Sequence, residues 1–329
     1  MRCRLVGVLS CVLVIGGCQS STMTAAKLYE KQGDVLKAKE QWLNVLEVDP
    51  DNMEAHFSLG KIYGGEGEYE KMVTSFDIAS GSEFQNEIDL TLDRLWISRF
   101  NDGVRLMNDD PIKAIEIFRD ATVIDKERLD AWQNLAVLYS RSERVEDALE
   151  IYEIIVEQSQ DVDLMAQIGI YQIQEEAFRS AIETLHRVVS LDSLHFEGRY
   201  NLAIAQIKTE DFNNGEKNFL MASEIDPLDK SPQFSLGNLY WNRKDYTKAV
   251  TAFSKAFEID PQDNDALYNL AITHLLMEND QSALPLLKLL TERTPDNPVV
   301  WRELGSIYAR QGNIEDSANA YKREEEIKK

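Results

Sequence analysis

Residues 233–261 decide how this chain folds: Gln233-Phe-Ser-Leu-Gly-Asn-Leu-Tyr240, then Asp245-Tyr246, Ala249, Phe253, Ala256 and the closing Asp260-Pro261. Apolar and small residues recur here at intervals of three and four, the period of an α-helix with one buried face. Polar residues around Asp245 interrupt the pattern, and Pro261 ends it because proline cannot continue a helix. The stretch predicts two short antiparallel helices. Small residues let the two backbones approach, and a large aromatic such as Phe253 fills the space beside them.

Outward from this stretch the same unit recurs. Aligned on Ala249, the small residue of the second half is Ala38, Met72, Ala114, Ala148, Ala181, Gly215, Ala249, Ala283 and Ser317, spaced by 34, 42, 34, 33, 34, 34, 34 and 34 residues. Four residues after each stands a bulky side chain, from Trp42 and Phe76 to Leu287 and Tyr321. A second column, Ala26, Gly60, Gly103, Ala136, Gly169, Ala203, Gly237, Ala271 and Gly305, holds Ala or Gly alone. One helix pair leaves an apolar face uncovered, so neighbouring pairs must stack into a continuous core.

These columns and this period resemble the tetratricopeptide repeat (TPR) family. The resemblance implies an all-α superhelical solenoid of antiparallel helix pairs, about nine repeats, over residues 25–329. Repeat boundaries are expected near 19–52, 53–86, 87–128, 129–161, 162–195, 196–229, 230–263, 264–297 and 298–329. Departures are local: Met72 is large for its column, and Phe84, Lys126, Gln160 and Ser193 stand where other units close with Pro. The polar last helix, ending in Glu324-Glu-Glu-Ile-Lys-Lys329, suits a solvent-facing cap.

Two irregularities bear on structure. The 42-residue spacing adds eight residues near Glu87–Arg94, where Ile88, Leu92, Leu95 and Trp96 keep helical spacing. The first helix of the third repeat should therefore be longer by about two turns, leaning on its neighbour or contacting a partner or a second copy. Pro285 falls inside the second helix of the eighth unit, where it removes one backbone hydrogen bond and should bend the helix.

The N-terminus reads as an address. Arg2 and Arg4 precede the uncharged run Leu5–Ile15, which suits the core of an export signal and is too short to span a bilayer. The run ends in Ile15-Gly16-Gly17-Cys18, which resembles the lipobox of bacterial lipoproteins. That resemblance implies a signal peptide over 1–17, a palmitate-type lipid on Cys18, and a short polar tether over 18–24. Gln19 resembles the outer-membrane sorting signal, so the expected location is the bacterial cell envelope, held to the outer membrane and facing the periplasm.

Lys and Arg number 35 against 57 Asp and Glu, a formal charge of -22, the wrong sign for a nucleic-acid partner. All three cysteines, Cys3, Cys11 and Cys18, lie in the first 18 residues, so the remainder can build no disulfide and no thiolate metal site. His56, His186, His195 and His274 fall in different columns, and no HExxH, GxSxG or P-loop pattern is present. No enzyme, cofactor or metal site is expected.

Function is then sought on a surface. The likeness to TPR proteins implies a groove lined by the first helix of each unit. Two positions before the small column stand Asn101, Asn134, Gln167, Asn201 and Asn269. An amide offers a donor and an acceptor, so such a ladder can hold a peptide backbone without reading its side chains. TPR superhelices of the glycosyltransferase type carry a similar ladder. Beside it, Phe100, Tyr200, Phe234, Tyr268 and Trp241 supply apolar area, with Asn238, Arg141 and Arg243 at the edges. Alternatively, the amides bond neighbouring helices and the aromatics belong to the core. The expected function is a lipid-anchored scaffold or adaptor holding a protein or peptide, with homo-oligomers left open. The alternative is a substrate-presenting, non-catalytic subunit of an enzyme complex such as a glycosyltransferase or secretion machine.

Overall fold

The computed structural model describes residues 9–329, with side chains from Ser21 onward, and among them it contains eighteen α-helices and no strand. Arg2 and Arg4 of the expected leader lie outside the described residues, and so does the side chain of Cys18. No helix among the described residues is long and apolar enough to cross a membrane.

The helices pair in sequence and fall into two compact units, one ending at Ser159 and one spanning Gln160–Lys329. In the first, α1 (Leu9–Gln32) pairs with α2 (Val35–Val48), α3 (Met53–Glu66) with α4 (Tyr69–Ala79), α5 (Gln85–Leu106) with α6 (Pro111–Ile124), and α7 (Leu129–Arg141) with α8 (Val145–Gln158). In the second, α9 (Val162–Gln174) pairs with α10 (Phe178–Leu191), α11 (Phe196–Lys208) with α12 (Phe212–Ile225), α13 (Ser231–Asn242) with α14 (Tyr246–Ile259), α15 (Asn264–Leu276) with α16 (Asp280–Arg293), and α17 (Pro298–Arg310) with α18 (Ile314–Ile327). Residues 18–24, expected as a tether, lie inside α1. Met23 packs with Ala26 against Trp42 and Val45, an apolar contact that favours helix over a free tether.

Within each pair the Ala/Gly column of the first helix meets the bulky column of the second. A Cβ built on Gly60 would lie 2.4 Å from the Phe76 ring, on Gly169 2.5 Å from Leu185, and on Gly237 2.5 Å from Phe253. Trp42, Phe118, Leu185 and Leu287 are wholly buried in this way. Met72 is also fully buried, and the room for it comes from Gly64, where a Cβ would fall 2.8 Å from the Met72 sulfur. The oversized member of one column is offset by a missing side chain on the facing helix.

Corners between repeats depend on Asp more than on Pro. The Asp125, Asp192, Asp226 and Asp260 carboxylates each accept the N–H two residues on, at 2.9–3.0 Å. This side-chain turn sets the corner whether or not Pro follows, so Lys126 and Ser193 are tolerated. At Gln160 the task passes to Asp161, which accepts from the N–H groups of Asp163 and Leu164. At Phe84 packing replaces capping: the ring stacks on Phe57 with centroids 4.5 Å apart.

The expected long helix is α5, 22 residues against 14 in α3. Its added turns are tied by Glu87 to Lys61 at 2.9 Å and by Asp93 to Arg128 at 2.5 Å. α16 runs on through Pro285 to Arg293.

Candidate functional site

The amide column divides between the units. Asn101 and Asn134 stand on α5 and α7 of the first; Gln167, Asn201 and Asn269 stand on α9, α11 and α15 of the second. Asn101 and Gln167 are exposed, and the other three are half-buried. The Asn134 and Asn201 side chains share one geometry: each Nδ2 donates to the carbonyl four residues back, Asp130 and Glu197 respectively, at 2.8 Å. One amide hydrogen of each is thus engaged on its own helix, and the side chain's second N–H and its Oδ1 make no further intramolecular bond among the described residues. Ser235 and Glu303 fill the same column in α13 and α17 and interrupt the ladder. The Ser235 hydroxyl lies 3.2 Å from that of Tyr200.

The aromatics beside the ladder are shared with the core. Phe100 stacks on Trp96 at 4.9 Å and meets Phe118 edge-on at 5.9 Å. Tyr200 packs on Phe196 and Phe219, and Phe234 meets Phe253 edge-on at 5.7 Å. Tyr268 sits half-buried against Leu304 and its cluster, and burial, with Glu303 adding to it, raises its hydroxyl pKa. Trp241 is the exposed aromatic of the set, at 39%. Arg243 is exposed, reaching over the Phe212 ring and 3.8 Å from Glu216; Arg141 is exposed and Asn238 half-buried.

Two features of the first helices escaped the sequence columns. On α5, Leu90, Ile97 and Val104 are 56%, 44% and 46% exposed. Seven-residue spacing puts them on one helical face, and Asn101, four after Ile97 and three before Val104, shares it. The spacing of Ile88, Leu92 and Leu95 marks the other, more buried side of the same helix.

The second feature lies four positions before the small column. There the His56 ring is 2.8 Å from the Pro50 carbonyl oxygen, Trp132 Nε1 donates to Lys126 O at 3.0 Å, Arg199 Nε to Ser193 O at 2.7 Å, and Trp301 Nε1 to Pro295 O at 2.8 Å. Three residue types do one job, tying the helix to the corner behind it, which hides the column from a search by residue type. Arg99 occupies the same column in α5, but the residue six positions back, Asp93, is inside the helix, and Arg99 Nε is buried without a hydrogen-bond partner.

The histidines have local roles. His195 accepts the Gly198 N–H through Nδ1, capping α11, and its Nε2 lies 3.0 Å from Asp163. Burial lowers the pKa of His274. Among the described residues no three His, Cys, Asp or Glu side chains gather as metal ligands.

Tetratricopeptide-repeat family models match residues 23–71, 131–166 and 240–305. Comparison with curated proteins gives no match. Among solved structures the chain is similar to MamA, at 17% identity over 49% of this chain and 94% of that one, with a TM-score of 0.45. It is similar also to pilF of Pseudomonas aeruginosa, at 15% identity over 65% and 98% of the two chains, with a TM-score of 0.44. A third is YrrB, described as a TPR protein with an unusual peptide-binding site, at 20% identity over 57% and 97%, with a TM-score of 0.46. With tetratricopeptide repeats matched in both units and successive helices paired throughout the described residues, the chain has the fold of a TPR solenoid.

Proposed function

We propose that this chain is a lipid-anchored TPR scaffold of the bacterial cell envelope, which holds a protein or peptide partner on the first-helix faces of its units. The observation that carries this is the shared geometry of Asn134 and Asn201, each held by one bond from Nδ2 to the carbonyl four residues back, which fixes the amide in the same pose on two first helices. A partner backbone would meet the remaining N–H and the Oδ1 of each amide. On α5 the exposed Leu90, Ile97 and Val104 add apolar contact beside Asn101, the mixture of anchor and adaptable polar contact that binding surfaces use. The anchor rests on Ile15-Gly16-Gly17-Cys18 and the charged start before it. A lipid of this kind contributes about 0.8 kcal/mol per buried methylene.

The test is affinity capture from detergent-solubilised envelopes with wild type and an Asn134→Ala, Asn201→Ala, Asn269→Ala variant. Loss of a structural partner from the variant supports the scaffold. Loss of an enzyme supports the substrate-presenting alternative, and an unchanged partner set refutes the amide face. Radiolabelled palmitate should enter wild type and not Cys18→Ser; equal labelling refutes the anchor.

A further inference from the structure

A groove of about 790 Å³ runs along the second helices of the first unit, from α4 across α6 to α8. Smaller versions, of about 520 and 350 Å³, lie between α16 and α18 and between α2 and α4. All three share the same columns as floor: Trp132, Leu135 and Tyr139 in the first, with Trp301, Leu304 and Tyr308 or His56, Leu59 and Tyr63 in the others. The large one spans three second helices where the others span two, and α5 with its added turns stands between α4 and α6 in the chain.

Its rim is distinctive in charge. Glu68, Glu70, Glu116, Asp120, Asp147 and Glu150 line it. Glu68 already holds Lys71, and Asp147 holds Arg144. Glu70, Glu116, Asp120 and Glu150 carry no ion pair among the described residues; of the lining cations, Arg119 also carries none. In the groove between α16 and α18 the lining charges balance, Lys288, Lys322 and Arg323 against Glu292, Asp316 and Glu326. An acidic rim is therefore no requirement of the repeat. Burial raises the Asp120 carboxyl pKa and Glu116 adds to that, while Arg99 opposes it. Like charges held over an apolar floor repel one another, and an incoming cation relieves that repulsion.

We propose that this groove docks a cationic amphipathic segment of a partner protein. Its Lys or Arg heads lie on Glu70, Glu116, Asp120 and Glu150, and its apolar side chains lie on the floor of Trp132, Tyr139, Ile151 and Ile154. The volume falls within the range of pockets that enclose small ligands, roughly 300–1,000 Å³, enough for a few side chains and not for a folded domain. None of the amide-column residues lines it, so the site stands apart from the first-helix face.

Fluorescence anisotropy on the full chain in detergent tests this, with a labelled short peptide of alternating Lys and Leu and its Glu-Leu counterpart as probes. Wild type should bind the Lys peptide in a salt-sensitive manner and ignore the Glu peptide. A Glu116→Gln, Asp120→Asn, Glu150→Gln variant should lose about tenfold or more in affinity, the sum of several modest charge contacts. A Glu292→Gln, Glu325→Gln, Glu326→Gln variant, with the same net charge, should bind as wild type does. Equal loss in both variants would assign the attraction to overall charge and overturn the proposal, as would wild type failing to bind the Lys peptide or binding both peptides alike.

Discussion

Five residues hold backbone angles that suit glycine: Glu143, Glu176, Glu210, Lys244 and Glu278, with φ between 55° and 64°. Each lies just past the first helix of its pair, in the register where other repeats have Gly33, Gly67 and Gly312. The turn is held by backbone bonds, such as Arg144 N–H to Tyr139 O at 3.0 Å and Asp245 N–H to Tyr240 O at 2.9 Å, which do not depend on the side chain. A side chain in this conformation costs about 1–2 kcal/mol, and glycine's extra unfolded-state freedom offsets roughly half of that. Glu143→Gly and Lys244→Gly should therefore each raise stability by about 0.5–1 kcal/mol, read as a higher urea midpoint with unchanged slope. A lower midpoint would show that Glu143 and Lys244 make contacts that outweigh the strain. These positions were illegible in sequence, since a surface Glu looks the same in any conformation. The corner carboxylates were illegible for a related reason: the Pro that follows Asp226 and Asp260 is the residue that stands out in the sequence, while the hydrogen bond belongs to the Asp.

At the scale of helices, the small and bulky columns were legible because both derive from one contact repeated down the chain. That contact makes a sharp contrast. Gly65 has nothing within 4 Å of an added Cβ, so Gly65→Ala should stabilise α3 by about 1 kcal/mol through helix propensity. At Gly237 the same methyl would meet the Phe253 ring at 2.5 Å, so overpacking of about 1–3 kcal/mol should exceed the propensity gain and lower the melting temperature. If both variants shift melting the same way, the packing assigned to these columns is wrong. Between neighbouring pairs, Arg310 forks onto Asp280 with bonds of 2.8 and 2.6 Å, and this hydrogen bonding lowers the pKa of the Asp280 carboxyl. Because the folded value lies below the unfolded one, the contribution is fully present above the ordinary carboxylate range, near 4, and is lost as pH falls through the lowered folded value. Asp280→Asn should flatten the stability profile in that acid window while leaving the remaining slope intact. An unaltered profile would assign the acid dependence to other groups. The extended α5 was legible from the 42-residue spacing, whereas its exposed Leu90, Ile97 and Val104 were not. Periodicity marks a face but does not say whether a neighbour covers it.

Across the whole chain, stability in a repeat fold is a sum of pair energies and nearest-neighbour contacts, so no single closed core seals every face. Each of the two units is built this way, and the first-helix amides and the acidic groove on the second helices are surfaces such stacking leaves uncovered. The amide column was visible in the sequence as Asn and Gln at a fixed offset from the small residues. What the column could not disclose was the bond from Asn134 and Asn201 back to their own helices, which depends on rotamer and not on residue type. Partner contact is proposed for the first-helix faces, that of the second unit among them. Its most direct test is photo-crosslinking in intact envelopes, with a photoreactive amino acid placed at Asn201 or Asn269 on one face, or at the exposed Glu183 or Lys217 on α10 and α12. One partner adduct is expected from Asn201 and Asn269 and none from Glu183 and Lys217. Adducts from Glu183 and Lys217 alone, or from no position, would contradict it.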